Sequence, residues 1–213
     1  KARELYEKGC NNGDKGACNN LAFILKNADH NASDALPLYQ QACDKGSMSA
    51  CHNLGLMYRN GDSVPQDHAK ALNLFSKSCE GSLGIGCFRL ALMVEQGQGG
   101  EKDVTRGAEL YRRSCDLGHA AGCNNLGWGY EHGEGLTKNL DKAHQFYQAA
   151  CHDDNAAGCV NRAMMFWNGV GTAQDSDHAI RLFQRGCSLG DAVGCRSLGV
   201  ILKEGKKGVD EDP

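Results

Sequence analysis

The sequence predicts an all-α fold, an α/α solenoid in which helix pairs stack into a right-handed superhelix with one disulfide bond per repeat. Three observations support this prediction: cysteine pairs that recur at a fixed period, small and apolar residues at helix spacing within each period, and a glycine at most predicted helix ends. The chain has 213 residues, 41% of them hydrophobic and 23% charged, which is enough to bury a core. It has 3 prolines and 28 glycines, which permits long helices separated by many turns.

Cysteines mark six repeats along the chain. The members of each pair are eight residues apart, and successive pairs begin 33, 36, 36, 36 and 36 residues after one another. The pairs are Cys10 and Cys18, Cys43 and Cys51, Cys79 and Cys87, Cys115 and Cys123, Cys151 and Cys159, and Cys187 and Cys195. One unit of this length cannot bury its own apolar face, so the units have to stack. We expect residues 1–213 to form one solenoid domain.

Each repeat is predicted to contain two helices of about ten to twelve residues. The A helix, such as residues 50–60, contains the second cysteine of a pair near its start. The B helix, such as residues 67–79, ends at the first cysteine of the next pair. A glycine suited to a left-handed helix end closes the A helices, at Gly61, Gly97, Gly133, Gly169 and Gly205. Aspartates suited to N-caps open several B helices, at Asp67, Asp103 and Asp175. Small residues that allow close helix contact recur on the B helices, at Ala2, Ala35, Ala71, Gly107, Ala143 and Ala179.

The repeat motif resembles that of a known family. Leu54-Gly55-x-x-Tyr58-x-x-Gly61, followed by Asp67, Lys70-Ala71 and Leu74-Phe75, resembles the Sel1-like repeat, a relative of the tetratricopeptide repeat. The likeness covers nearly the whole chain, although Gly107 replaces an alanine, Arg162 a leucine and Val94 a tyrosine. With a cysteine pair in each repeat, the chain is similar to the Helicobacter cysteine-rich proteins, which are secreted Sel1-like solenoids. It is also similar to a mitochondrial intermembrane-space assembly factor of cytochrome oxidase; the tandem regularity favours the bacterial group.

The cysteine spacing predicts six disulfides. Residues eight apart in one helix lie about 12 Å apart, whereas a disulfide needs Cα atoms about 4.4–6.8 Å apart. A helix–turn–helix brings them together, with Gly46, Gly118 and Gly190 supplying the turn in three repeats. Zinc is the alternative, but one pair per repeat does not converge four ligands on one ion. Bridges in turn indicate an oxidising compartment, periplasmic or extracellular, with the mitochondrial intermembrane space as the alternative.

No catalytic, cofactor or metal site is predicted. Gly186-Cys187-Ser188-Leu189-Gly190 matches a nucleophile-elbow pattern, but its place is a turn between helices, where a strand before the serine is not expected. Some members of the Helicobacter family are described as penicillin-binding proteins with weak β-lactamase activity. The resemblance therefore implies a possible β-lactam hydrolase, yet the S-x-x-K, S-D-N and K-T-G motifs are absent from the sequence.

Polar and varied residues on the A helices predict a binding surface. Two positions after the second cysteine the chain has an amide four times and an arginine once, at Asn20, Asn53, Arg89, Asn125 and Asn161. In tetratricopeptide relatives the equivalent position often has an asparagine that binds a peptide backbone, so the resemblance implies that role; the alternative is a hydrogen bond from one repeat to the next. Positions further along the same helices vary, including Arg59, Trp128, Glu131 and Trp167, where either tryptophan could anchor a partner or fill the core.

The sequence thus predicts a non-catalytic secreted or periplasmic scaffold, a monomer or part of a heterocomplex, that binds a protein or peptide on its concave face. The alternatives are the β-lactam hydrolase and a redox-linked assembly factor of the mitochondrial intermembrane space. The net charge of -3 and the lack of a basic cluster argue against a nucleic-acid partner, and no stretch is apolar enough to span a membrane. Residues 205–213 are expected to be the loop before another B helix or a solvated end cap.

Overall fold

The computed structural model describes residues 1–27 and 32–203, which form helices joined by short turns. Residues 28–31 and 204–213, which include Gly205 and the predicted loop or end cap, lie outside the described residues. The helices are α1 (Ala2–Asn11), α2 (Lys15–Asn27), α3 (Ala32–Asp44), α4 (Met48–Asn60), α5 (His68–Glu80), α6 (Gly84–Gln96), α7 (Val104–Asp116), α8 (Ala120–His132), α9 (Leu140–His152), α10 (Ala156–Asn168), α11 (Ser176–Ser188) and α12 (Ala192–Lys203). The odd-numbered helices are the predicted B helices and the even-numbered helices the A helices.

The chain forms two compact units, unit 1 from Lys1 to Leu110 and unit 2 from Tyr111 to Pro213. Within the units, A helices pack against the B helix that follows them, as α4 does against α5 and α10 against α11. They also pack against the B helix that precedes them, as α4 does against α3 and α10 against α9, so these two helices are held on two sides. This is the stacking that the repeat period predicts for an α/α solenoid.

Small residues let aromatic side chains fill the space between A and B helices. A Cβ atom on Gly55 would lie 2.8 Å from the ring of Phe75, and one on Gly127 would lie 2.8 Å from the ring of Tyr147. Phe75 and Tyr147 are fully buried as a result. Burial of one such ring stabilises the fold by roughly 1.5–3 kcal/mol, so larger residues at these glycines would displace a main part of the core.

The helix ends follow the predicted signals. Gly61, Gly97, Gly133 and Gly169 end their A helices with φ angles of 79°, 68°, 75° and 66°. The carboxylates of Asp67 and Asp175 accept hydrogen bonds from the backbone N–H groups of Lys70 and His178, and thereby cap α5 and α11. Asp103 does the same for the N–H of Arg106 at the start of α7.

All twelve cysteines form the six predicted disulfides, each joining the end of a B helix to the next A helix. The Cα atoms of the bridged pairs are 4.4 to 4.7 Å apart. Between the two cysteines the chain turns through a left-handed residue, with φ of 80° at Gly46, 78° at Gly118 and 92° at Gly190. These intrachain bridges indicate that the protein folds in an oxidising compartment.

Candidate functional site

The candidate site is the surface that the A helices present in each unit, here named the A-helix face. It is formed by α2, α4 and α6 in unit 1 and by α8, α10 and α12 in unit 2. The second cysteine of each pair anchors its A helix, so residues at the same distance after it occupy equivalent places in every repeat. The predicted binding residues all lie on these helices.

Asparagine side chains join neighbouring A helices on this face. In unit 1, Asn53 donates from its Nδ2 atom to Oδ1 of Asn19, at 3.2 Å. In unit 2, Asn161 makes the same bond to Asn124 at 2.9 Å. Asn125 accepts a hydrogen bond from Asn124 within α8. Two of the predicted amides, Asn53 and Asn161, therefore form hydrogen bonds from one repeat to the next, which is one of the two roles that the sequence left open.

The acceptors of these bonds, Asn19 and Asn124, were not among the predicted site residues. Each directly follows the second cysteine of its repeat. The available signal was the dipeptide Asn-Asn after Cys18 and after Cys123, which places an acceptor next to the conspicuous amide. A hydrogen bond of this kind contributes about 1 kcal/mol to stability.

Arg89 takes the place of the amide in α6, which contacts α4, the helix that carries Arg59. The Nε atom of Arg89 is buried and has no hydrogen-bond partner among the described residues. Burial lowers the pKa of the Arg89 guanidinium, and the positive charge of Arg59 lowers that pKa further. Arg59 lines a cavity of about 300 Å³ together with Gln66, His68, Leu92, Met93, Gln96 and Gln98.

The corresponding place in unit 2 is mainly apolar, although Arg196 also lines it. A cavity of about 350 Å³ is lined there by Met164, Trp167, Asn168, Phe183, Arg196, Ser197, Val200 and Ile201. Trp167 is half-buried, and its ring meets that of Phe183 edge-on with centroids 6.4 Å apart. Trp167 thus both fills the core and faces the cavity.

Trp128 is the more exposed tryptophan, with 41% of its surface accessible. Its ring stacks on His132 with a centroid distance of 4.5 Å. Glu131, three residues further on, accepts a hydrogen bond of 2.6 Å from the hydroxyl of buried Tyr147. Burial and this carboxylate raise the pKa of Tyr147 well above its ordinary value, so the hydroxyl stays a donor. Glu131 is thereby fixed to the core of unit 2 while remaining partly accessible.

A basic cluster occupies a core position of unit 2. Arg162 stands where the other A helices have a leucine, and its Nε lies 3.3 Å from Nε2 of His144. The ring of Phe166 lies between His144 and His178, with centroid distances of 5.0 and 4.3 Å. Burial, the charge of Arg162 and neighbouring basic groups lower the pKa values of both histidines, although Asp141 and Asp175 act in the opposite direction.

The remaining chemical candidates have structural roles. Ser188, the serine of the elbow-like pattern, ends α11 and donates from its Oγ to the carbonyl of Arg185, at 2.8 Å. It is the last residue of a helix and is followed by a turn and another helix, so no strand precedes it. Every cysteine sulfur is bound to another sulfur, so none is a thiolate available as a nucleophile or metal ligand. Among the described helices, none is long and apolar enough to cross a bilayer.

Comparison with known proteins identifies the repeat. The model of the Sel1 repeat matches residues 1–14, 16–47, 49–83, 84–119, 120–155 and 156–191. A Sel1 repeat protein from Oxalobacter formigenes has a similar structure, with a TM-score of 0.84 and 22% identity over 94% of this chain and 81% of that chain. No curated protein sequence matches significantly.

Two further solved structures are similar. A protective antigen present in uropathogenic Escherichia coli strains matches with a TM-score of 0.66 and 22% identity over 98% of this chain and 53% of that chain, so this chain spans about half its length. Helicobacter pylori cysteine rich protein B matches with a TM-score of 0.52 and 28% identity over 62% of this chain and 96% of that chain. With the repeat model matching most of the sequence and these structures sharing its fold, the chain belongs to the Sel1 repeat family.

Proposed function

We propose that the chain is a non-catalytic scaffold, periplasmic or secreted, that binds a protein or peptide on its A-helix face. The observation that carries this proposal is a recurring exposed apolar residue, five positions after the second cysteine of the repeat. Phe23 is 56%, Trp128 41%, Met164 40% and Val200 50% accessible, and Leu56 and Leu92 occupy the same position half-buried. Large apolar side chains left exposed at one repeated position suit contact with a partner.

The surroundings of these residues supply the polar part of such a surface. Amide side chains offer both donors and acceptors, and the Asn53 and Asn161 bonds use only their Nδ2 groups as donors. Their remaining capacity is suited to the backbone of a bound segment. Arg59, Arg89 and Glu131 add charged groups of both signs, which would select among partners.

The location rests on the disulfides. Six bridges persist in an oxidising environment, which supports the periplasm or the extracellular space. Thiol labelling of protein isolated without reductant and then unfolded tests the point. Fully oxidised protein takes up no label, whereas labelling of most cysteines would contradict an oxidising compartment.

The binding face is tested with the double variant Asn125→Ala/Trp128→Ala against peptides selected on the wild-type protein by display. We expect affinity to fall at least about tenfold, since aromatic anchors carry much of the binding energy at interfaces. The matched control is Gln145→Ala/Gln148→Ala on the exposed side of α9, which should bind as the wild type does. Equal binding by all three proteins, each with an unchanged unfolding midpoint, would place the partner elsewhere.

A further inference from the structure

The most unusual charge arrangement on the A-helix face is the pair Arg59 and Arg89 in unit 1. α4 contacts α6 directly, which brings two arginine-bearing helices together. Arg59 has one hydrogen bond from its Nε atom, to the side chain of neighbouring Asn60 at 3.2 Å. Within residues 1–27 and 32–110, neither arginine forms an ion pair with a carboxylate.

Nearby carboxylates are engaged elsewhere. Asp62 pairs with Lys26 at 2.8 Å, and Asp67 accepts the N–H of Lys70 at the start of α5. Asp62 and Asp67 therefore do not neutralise the positive charge beside the cavity.

His68 adds unused hydrogen-bonding capacity to the cavity lining. Its Nδ1 atom is buried and has no partner within the part of unit 1 that the structure describes, and the same is true of Nε of Arg89 on α6. A buried polar group without a partner costs about 1–3 kcal/mol, which a ligand that supplies the partner recovers. Helix spacing places Arg89, Leu92 and Gln96 on one side of α6, so Arg89 shares a face with part of the cavity lining.

We propose that this pocket, the Arg59–Arg89 pocket, binds an aspartate or glutamate side chain of an acidic peptide segment in the partner. The inference rests on the proposed function and adds the chemistry of the ligand in unit 1. A carboxylate accepts hydrogen bonds from two guanidinium groups at once and removes their mutual repulsion. The amides of Gln96 and Gln98 at the cavity are suited to the flanking peptide backbone, which favours a peptide over a free inorganic anion.

The experiment compares binding to an immobilised library of short random peptides, sorted by their number of Asp and Glu residues. We expect the wild-type protein to prefer acidic members, and the preference to weaken with added salt because it is electrostatic. The test variant Arg59→Trp/Arg89→Ser introduces the residues found three repeats later, at Trp167 and Ser197. It should bind acidic peptides at least about tenfold more weakly and neutral ones undiminished.

Two further variants control for folding and total charge. Arg59→Gln/Arg89→Gln tests the same loss without a bulky side chain, should the first variant unfold. Lys45→Gln/Lys77→Gln removes the same charge from exposed positions in unit 1 and should keep the acidic preference.

The outcomes separate this inference from the proposed function. Peptide binding without an acidic preference, or a preference that survives loss of both arginines, overturns the arginine pocket alone. An absence of binding to any library member by the wild-type protein overturns both. If the NMR resonance of the Arg89 Nε–H group shifts when an acidic peptide binds, and does not shift when a neutral peptide binds, the result supports the pocket directly.

Discussion

The two cavities on the A-helix face occupy equivalent places in unit 1 and unit 2 and have different chemistry. Arg59 at the first corresponds to Trp167 at the second, three repeats later, and Arg89, on the cavity side of α6, corresponds to Ser197. Leu92 and Met93 correspond to Val200 and Ile201, so the helix framework beneath is similar. The comparison teaches that a few side chains on a constant backbone decide whether a repeat presents a mainly polar or a mainly apolar pocket.

Hydrogen bonds between the asparagine side chains of neighbouring A helices explain where these cavities form. Asn19 with Asn53, and Asn124 with Asn161, hold α2 to α4 and α8 to α10. At the cavity between α4 and α6 the corresponding residues are His52 and Arg89, and between α10 and α12 they are Val160 and Ser197. Neither pair can form a hydrogen bond between two side-chain amides. Each described cavity on this face therefore adjoins a helix pair in which the asparagines have been replaced.

The largest expected effect separates the bridges of the two units. Cys79 and Cys87 in unit 1 are fully buried, whereas Cys195 in unit 2 is exposed and Cys187 partly so. Cys79→Ala/Cys87→Ala should lower the free energy of unfolding by about 3–4 kcal/mol, from the lost loop constraint and the cavity left behind. Cys187→Ala/Cys195→Ala should cost about 2–3 kcal/mol, because little packing is lost.

Tryptophan fluorescence and circular dichroism during urea unfolding assign each loss to a unit. Both tryptophans, Trp128 and Trp167, lie in unit 2, so fluorescence reports that unit while circular dichroism reports all helices. A larger loss for the exposed bridge than for the buried one would contradict the packing argument.

The next effect transfers one pocket's chemistry to the other. Trp167→Arg/Ser197→Arg gives unit 2 the residues of the Arg59–Arg89 pocket. We expect weaker binding of apolar peptides by about tenfold, equivalent to about 1.4 kcal/mol, and a new preference for acidic ones. Peptide titration by calorimetry measures both. Unchanged selectivity would mean that these positions do not determine what unit 2 binds.

Prediction from the sequence was most successful where a covalent or local rule decides the outcome. The eight-residue spacing admits a disulfide across a turn and excludes one within a helix, so Cys43–Cys51 and its equivalents were predictable. The left-handed glycine that ends α4, Gly61, follows from backbone sterics in the same way. These rules need no knowledge of how repeats stack.

Contacts between repeats were less accessible to prediction. Whether Asn53 reaches Asn19, or Arg89 approaches Arg59, depends on the angle and offset between stacked helices, which the sequence pattern does not specify. Glu131 was predicted to bind a partner, and its hydrogen bond with Tyr147 of the next B helix was not predicted, because that bond depends on how α8 packs against α9. The repeat pattern thus predicted the helices and their disulfides, whereas the side-chain contacts between repeats depend on how the helices stack.

The hydrogen bonds between asparagine side chains give the third prediction. Asn53→Ala in unit 1 and Asn161→Ala in unit 2 should each lower the free energy of unfolding by about 1 kcal/mol, since each leaves an asparagine without its donor. Asn20→Ala, at an exposed position of α2, is the matched control and should cost less. Urea unfolding measures the three. Losses equal to the control's would show that the bonds between helices contribute no more to stability than the local bond that Asn20 accepts from Asn19.

A smaller effect concerns pH and the basic cluster of unit 2. Arg162 corresponds to buried Leu54 in unit 1, and both His144 and His178 have pKa values below the ordinary 6.5. Below about pH 6.5 the unfolded chain therefore binds protons that the folded chain does not, so the stability of unit 2 falls as the pH falls. Arg181 strengthens this effect at His178, whereas Asp141 and Asp175 oppose it.

Arg162→Leu should flatten this pH dependence, because it removes a positive charge that disfavours protonation of both histidines. Arg162→Lys keeps the charge and should retain most of the dependence. Tryptophan-monitored unfolding between pH 5 and pH 8, on the order of one unit to either side of the ordinary histidine pKa, is the measurement. Identical profiles for the leucine and lysine variants would show that the charge of Arg162 does not control these histidines.

The smallest effect lies in the turns that the disulfides close. Glycine occupies the left-handed position at Gly46 and Gly118, but Ser82 holds it in unit 1 with φ of 64°. A residue other than glycine there costs about 1–2 kcal/mol in backbone strain. Glycine removes this strain, but its greater conformational entropy in the unfolded chain offsets part of the gain. Ser82→Gly should therefore raise the free energy of unfolding by about 0.5 kcal/mol. Gly118→Ala, which introduces the strain in unit 2, should lower it, and the same sign of change in both variants would refute a backbone origin.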